Sequence, residues 1–315
     1  MSPSPDPRHA SGRSTPPGTI ATEPFQFALH RWRSLVTAAW IPALLFAAVL
    51  MLGGQLAFDA EAMAETGGLA FRGHPALAIL ILAATAIVAG FLYSGVAASI
   101  FELVAVGETR TSAPIRRDGP TWRVFAAFSM LTVLSFVIWA LATLIAIMAS
   151  GGGEVIPSLQ TVAAWSATAS PGATPPADVI AAGERVAGAM VLLLAIGGLP
   201  SIYLTVRLIA FPAGSAIDNR LVPRKAFAVT EGRFWPILGG YLLLAGGMML
   251  LGMVTQLGAA PLSMLSVLFA EQGGVGAALG AVLGAGAAAL LIAVQVIGFV
   301  VQTAFAGVVY RRLAL

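Results

Sequence analysis

Residues 76–105, ALAILILAATAIVAGFLYSGVAASIFELVA, decide the fold class of this chain. Glu102 is the only charged residue in this stretch, and a helix of about 20 apolar residues is enough to cross a hydrocarbon core of about 30 Å. Five further apolar runs lie at 35–54, 124–149, 187–211, 236–257 and 281–309. The sequence therefore predicts an all-α fold: a polytopic transmembrane helix bundle with six spans within residues 21–315.

The composition excludes a soluble domain. Hydrophobic residues make up 58% of the chain and charged residues 10%, and the mean hydropathy is +0.90; soluble domains carry roughly 25% charged residues. Cysteine is absent, which excludes disulfides, thiol catalysis and Cys-ligated metals. Arg outnumbers Lys sixteen to one, and Ala, Gly and Pro are abundant. All four residue types have GC-rich codons, so we expect a bacterial cytoplasmic (inner) membrane protein.

The distribution of basic residues predicts the orientation. Fifteen of the seventeen Lys and Arg residues lie in or beside the N-terminal tail, the second and fourth loops and the C-terminus, which six spans place on one side of the membrane. Only Arg72 and Arg185 lie on the other side. Because Lys and Arg of short loops stay on the cytoplasmic side, both termini should be cytoplasmic. Anionic lipid headgroups on that side are the expected partners, and nucleic acid is not. A homo- or hetero-oligomer stays open. The fifteen residues are Arg8, Arg13, Arg31, Arg33, Arg110, Arg116, Arg117, Arg123, Arg207, Arg220, Arg224, Lys225, Arg233, Arg311 and Arg312.

Each odd-numbered span is preceded by a Trp next to or near an Arg: Arg31-Trp32-Arg33, Trp122-Arg123 and Arg233-Phe234-Trp235. Trp prefers the membrane interface, and Arg extends its guanidinium to the headgroups. The pattern fits either three repeated helix pairs or three independent interface anchors, and the sequence leaves both open.

The segments outside the spans differ in character. Residues 1–20 are rich in Pro and Ser and are expected to form a disordered cytoplasmic tail. Residues 150–186 are rich in Gly, Ala, Ser and Pro, so we expect poor order there. Residues 258–275 alternate Leu and Phe with Ser, which predicts a short amphipathic helix on the outer surface.

A search for catalytic motifs finds none, so no catalytic, metal-binding or cofactor-binding residue is predicted. His9, His30 and His74 are scattered over a tail, a surface helix and an outer loop, so they cannot form a metal site. No G-x-S-x-G, Walker-type or H-E-x-x-H sequence occurs. The chain is therefore expected not to be an enzyme.

Several polar or helix-breaking residues lie inside the spans. Gln295 and Gln302 continue a stripe of small residues on the last span; lipid cannot bond their amides, so we expect both to face the bundle, as packing contacts or as substrate contacts. Pro200 lacks an N–H and should kink the fourth span. The kink is either a structural feature without a role in transport or, as in transporters, part of a binding site.

Glu102 and Arg207 lie at the cytoplasmic ends of the second and fourth spans. Ionisable residues inside a membrane are candidates for function. Their matching depth predicts that they contact each other, with Tyr203 one turn away; the alternative is that each extends separately to the interface.

Residues 203–244, YLTVRLIAFPAGSAIDNRLVPRKAFAVTEGRFWPILGGYLLL, resemble part of a bacterial six-helix membrane family. The family comprises the membrane domain of glycerophosphoryl diester phosphodiesterases and its stand-alone relatives. The residues that match are Tyr203, Leu204, Arg207, Pro212, Asp218, Pro223, Gly232, Phe234 and Trp235. The resemblance implies a membrane bundle and a link to lipid metabolism or envelope maintenance. It implies no catalytic residues, because the family's phosphodiesterase chemistry belongs to a separate barrel domain that this chain lacks.

Three functions compete on these observations. The first is a non-enzymatic envelope or lipid-associated membrane component, favoured by the absence of catalytic motifs. The second is a small-molecule or lipid transporter or permease, favoured by Pro200, Gln295 and the Glu102 and Arg207 charges. A membrane-embedded enzyme ranks third, since no carboxylates, His or nucleophiles cluster near one interface.

Overall fold

The structure is a computed structural model that describes residues 17–59, 62, 70–108, 115–170, 173–270 and 272–314. The described residues form helices and no strands, and six helical segments are long and apolar enough to cross a membrane. The all-α prediction with six spans is therefore confirmed, and the chain is a multi-pass integral membrane protein. The helices are α1 Pro17–His30, α2 Trp32–Ala57, α3 Pro75–Ala105, α4 Gly119–Ala149, α5 Val155–Thr168, α6 Ala177–Leu193, α7 Leu199–Leu208, α8 Phe211–Ile217, α9 Pro223–Val229, α10 Phe234–Ala270 and α11 Gly274–Ala314.

Several helices extend beyond the boundaries that hydropathy predicts. The segment 258–270 is the last part of α10, so the separate amphipathic helix expected there is wrong. A Cβ at Gly280 would lie 2.5 Å from the Ser266 carbonyl oxygen and 2.9 Å from the Ala270 nitrogen. The small residue therefore lets α11 approach the backbone of α10 closely, and packing of the two helices keeps both helical past the apolar runs.

Two expectations of disorder are corrected where the structure describes the chain. Within the segment 150–186, residues 155–168 form α5, which packs against α6. Helix α1 begins at Pro17, so residues 17–20 of the expected tail are helical. Proline suits the first turn of a helix because its missing N–H has no partner there. The rest of the expected tail, residues 1–16, lies outside the described residues.

The chain divides into two compact units. The first comprises residues 1–125 and 210–315. Within it α2 packs against α3, α10 against α11, and α1 against both α10 and α11. Its core brings side chains from α2, α3 and α11 together. The buried residues of this core are Leu35, Ala39, Val96, Ile100, Leu103, Val104, Val300, Ala304 and Val308.

The second unit comprises residues 126–209. Its membrane-spanning segment changes from α-helix to a π-helical turn at Leu194–Gly198 and returns to α-helix at Leu199. The Leu199 N–H donates to the Leu194 carbonyl, directly before Pro200, which has no N–H to donate. A Cβ at Gly197 would lie 3.0 Å from the Ala142 side chain and 3.1 Å from that of Trp139. Glycine therefore permits close packing of the turn against α4.

Consecutive spans α2 and α3 pack as a hairpin, and so do α10 and α11. This arrangement fits the helix-pair organisation, but it does not distinguish three repeated pairs from independent anchors.

Candidate functional site

The first charged cluster surrounds Arg116, in the loop between α3 and α4. Its guanidinium donates to both carboxylate oxygens of Glu102, at 2.8 and 3.1 Å, and to the Ser99 hydroxyl at 3.2 Å. It also donates to Asp118 from Nε at 3.0 Å and forms an ion pair with it. The side chains of Arg116 and Glu102 are 2% and 1% exposed. The loop is thus bound to the end of α3 by a buried, bidentate ion pair, a geometry that the Arg guanidinium favours.

Asp118 also caps α4. Its carboxylate accepts from the Thr121 N–H at 3.2 Å and from the Thr121 hydroxyl at 2.7 Å, as an Asp at the N-cap position does. Burial by itself would raise the pKa of Asp118, but the hydrogen bonds from Arg116 and Thr121 outweigh burial and lower it. Burial likewise opposes the charged form of Arg116, yet its bonds to Glu102 and Asp118 raise its pKa further. Both groups therefore stay charged at neutral pH.

The second cluster joins Asp218, Lys225 and Tyr310. The Lys225 ammonium donates to the Asp218 carboxylate and to the Tyr310 hydroxyl oxygen, both at 2.7 Å. The Tyr310 hydroxyl donates to the other Asp218 oxygen at 2.7 Å. The three groups thus form a closed triangle of hydrogen bonds between the end of α8, α9 and the last turns of α11.

The electrostatics of this triangle favour its charged form. Burial would raise the pKa of Asp218, but the hydrogen bonds from Lys225 and Tyr310 outweigh it and lower the pKa. The hydrogen bond to Asp218 raises the pKa of Lys225, and the bond to Tyr310 adds to this effect. Tyr310 is fully buried, and a Cβ at Gly214 would lie 2.7 Å from its ring. Glycine at position 214 therefore makes room for Tyr310 against α8.

The third cluster ties α1 to the end of α11. Glu23 forms ion pairs with Arg311 and Arg312, and Arg311 also donates to the Val104 carbonyl at 3.0 Å. Val104 lies in the last turn of α3, and Tyr310 directly precedes Arg311. The three clusters therefore lie at the same end of the first unit, where α3 and α11 end side by side.

Exposed arginines surround these clusters, and we call them the arginine belt. None of them forms an ion pair with a described residue, whereas Glu23, Glu102, Asp118 and Asp218 all do. The exposed Trp32, Trp122 and Trp235 accompany the belt. The belt consists of Arg31, Arg33, Arg117, Arg220, Arg224 and Arg233.

The prediction that Gln295 and Gln302 face the bundle is corrected for Gln302. Gln302 is exposed although its neighbours on α11, Val301 and Thr303, are buried. Gln295 is exposed as well, but it lines a cavity of about 440 Å³ between α2, α3 and α11. The seven-residue spacing places the two amides on one face of α11. The spacing could not show that the neighbouring helices leave this face open.

The remaining residues singled out in the fourth span lie in the second unit. Pro200 is the second residue of α7, Tyr203 is exposed, and Arg207 is buried in the last turn of α7. The pairing of Glu102 with Arg207 stays a prediction.

In the segment 203–244, Pro212 is buried in α8 and Asp218 belongs to the triangle with Lys225 and Tyr310. Gly232 has a φ of +67°, a conformation that favours glycine, and it ends the turn before α10. Trp235 is exposed at the start of α10.

Sequence reasoning missed the residues that complete the clusters. Lys225 and Tyr310 are 85 residues apart, and no local pattern marks them as partners. Asp118 was detectable, because Asp followed by Gly119 and Pro120 is typical of a helix start. Arg116 was counted only as a cytoplasmic base, since a loop arginine seldom becomes buried.

The arrangement is suited to charge pairing and lipid contact. Among the described residues no group of three or more His, Cys, Asp or Glu side chains could hold a metal ion. Comparisons of the chain with family models, with curated proteins and with solved structures found no match.

Proposed function

We propose that this protein is a non-enzymatic, lipid-associated component of a bacterial cytoplasmic (inner) membrane, with both termini on the cytoplasmic side. The observation that carries the proposal is the arginine belt, whose exposed members form no ion pair with a described residue. Anionic lipids attract basic residues near the membrane surface by about 1 kcal/mol each. Phosphate headgroups are therefore the natural counter-ions of the belt.

The ion-pair clusters explain why the belt stays available for lipid. Glu23, Glu102, Asp118 and Asp218 form their ion pairs with Arg311, Arg116 or Lys225 and not with the belt. The charge of Arg220 helps to lower the pKa of Asp218 without an ion pair between them. The exposed Trp side chains fit the headgroup region, where an aromatic ring with one polar edge is favoured. The resemblance of residues 203–244 to the phosphodiesterase membrane domain supports a link to lipid metabolism or the envelope.

The test measures how anionic lipid affects the full-length protein in nanodiscs. The test variant changes Arg117, Arg220, Arg224 and Arg233 to Gln, and the matched control changes Arg72 and Arg185, the two basic residues of the other side, to Gln. Phosphatidylglycerol should raise the Tm of the wild type and of the control above that in phosphatidylcholine, and should remain bound in native mass spectrometry. The belt variant should lose both effects. Equal retention by all three proteins would contradict the proposal.

A small-molecule or lipid transporter is the second candidate, and the π-helical turn before Pro200 favours it. Interrupted helices often mark binding sites in membrane proteins. Proteoliposomes containing fluorescent phosphatidylglycerol distinguish the two candidates, because dithionite bleaches only the outer leaflet. The first candidate predicts bleaching of the outer leaflet alone. Complete bleaching that Pro200→Ala slows would favour the transporter.

A further inference from the structure

The cavity between α2, α3 and α11 lies in the membrane-spanning part of the first unit. Its volume is about 440 Å³, within the range of roughly 300–1,000 Å³ that is typical of small-molecule sites. Ala39 and Val96 belong both to its lining and to the buried core, so the packed core forms one end of the cavity. Pro42 and Ala43 of α2 and Leu291 of α11 form parts of its walls.

Gln295 contributes a primary amide to this apolar cavity. It is the 22nd of the 41 residues of α11, so it lies in the membrane interior, about 24 Å along the helix from Arg311 at 1.5 Å per residue. The amide makes no hydrogen bond with any described residue. Burying such a group in hydrocarbon without a partner costs about 2–7 kcal/mol. A molecule that fills the cavity and bonds to the amide would remove this cost.

The other lining residues restrict the chemistry of that molecule. Among the described residues that line the cavity none is Asp, Glu, Lys, Arg or His, so the occupant must be neutral. Phe46, Tyr93 and Phe299 provide aromatic rings, and the centroids of Tyr93 and Phe299 are 4.2 Å apart. Such rings pack well against a planar ring. Tyr93 has a side-chain hydrogen bond with Thr303, and Gln295 contributes the primary amide of the lining.

We propose that this cavity binds a neutral, membrane-dissolved amphiphile of the prenylquinone type, with a ring carbonyl that accepts a hydrogen bond from Gln295. A phospholipid acyl chain would fill the space but leave the amide without a partner, because its ester groups lie at the interface. A charged headgroup would have no counter-ion in the lining. This site is separate from the arginine belt and goes beyond the proposed association with anionic lipid.

The test titrates the full-length protein in phosphatidylcholine nanodiscs with decylubiquinone and follows the Tm and the fluorescence of the protein. Gln295→Leu removes the amide while keeping a side chain of similar size. Gln302→Leu is the matched control, because it removes an amide from the same face of α11 outside the cavity. Ala43→Phe fills the cavity without changing a polar group.

Wild type and Gln302→Leu should bind decylubiquinone saturably and with equal affinity. Gln295→Leu should bind up to about tenfold more weakly, the loss expected for one hydrogen bond, and Ala43→Phe should abolish saturation. Equal affinity of Gln295→Leu and wild type would overturn the role of the amide. Absence of saturable binding would overturn the ligand class. Binding of dodecane in place of decylubiquinone with equal affinity would overturn it as well. Anionic-lipid retention of the same variants, measured separately in phosphatidylglycerol nanodiscs, keeps this outcome distinct from that of the arginine belt.

Discussion

The ion pair between Arg116 and Glu102 offers a quantitative test of how the loop before α4 is held. Both side chains are almost fully buried, and the guanidinium contacts both carboxylate oxygens. Removing one partner of a buried pair costs about 3–5 kcal/mol, because the other charge stays in a medium of low dielectric constant. Arg116 keeps its bonds to Asp118 and Ser99 in the Glu102→Gln variant. We therefore expect the lower end of that range for Glu102→Gln, about 3 kcal/mol.

The Arg116→Gln variant should lose about 3–5 kcal/mol. The double variant should be more stable than the sum of the single losses predicts, because the two losses share one interaction; a coupling free energy of about 1–3 kcal/mol is expected for residues in contact. The exposed neighbour Arg117 gives a matched control: Arg117→Gln should change the free energy of unfolding by less than about 0.5 kcal/mol.

The measurement is equilibrium unfolding in mixed micelles with increasing sodium dodecyl sulfate, followed by far-ultraviolet circular dichroism. Wild type, both single variants, the double variant and the Arg117→Gln control form one series. Strictly additive losses would refute a direct pair between Arg116 and Glu102. A loss for Arg117→Gln as large as that for Arg116→Gln would show that loop charge, rather than burial, decides the effect.

Four further predictions concern the rest of the molecule. Because the pKa of Asp218 is lowered in the folded protein, its contribution to stability is complete above its ordinary pKa of about 3.9 and disappears as the pH falls through the folded-state value. Asp218→Asn should therefore lower the Tm at neutral pH and weaken the loss of Tm at acid pH, both measured by thermal unfolding. Gly214→Ala should lose about 1–3 kcal/mol by overpacking, whereas Gly246→Ala, where a Cβ meets nothing within 4 Å, should keep or gain stability in the same unfolding assay. Reporter fusions after residues 65, 165 and 270 should report the outside and those after 115, 225 and 315 the cytoplasm; an external C-terminus would contradict the orientation. If Glu102 and Arg207 are in contact, Glu102→Gln and Arg207→Gln should show non-additive losses, and additive losses would mean that each acts separately.

The number of spans was predictable because a bilayer imposes a local rule. Every backbone N–H and C=O in hydrocarbon must be satisfied within its own helix, so a sufficiently long apolar run is a span whatever its neighbours are. Residues 76–105 and Gly274–Ala314 show this directly. Boundaries were less predictable where a helix continues outside the apolar run, as α10 does to Ala270, because there helix packing rather than hydropathy keeps the chain helical.

The sequence by itself determined the all-α class, the six spans and the prediction of which side of the membrane carries the basic residues. Each of these depends on composition along a short segment. Only the tertiary structure decided that Arg116 is buried with Glu102, that Tyr310 meets Asp218 and Lys225, and that Gln295 lines a cavity. These contacts depend on how closely helices distant in sequence approach one another. Small residues such as Gly214 and Gly307 permit that approach, but which helix comes close to them is decided by the packing of the whole unit.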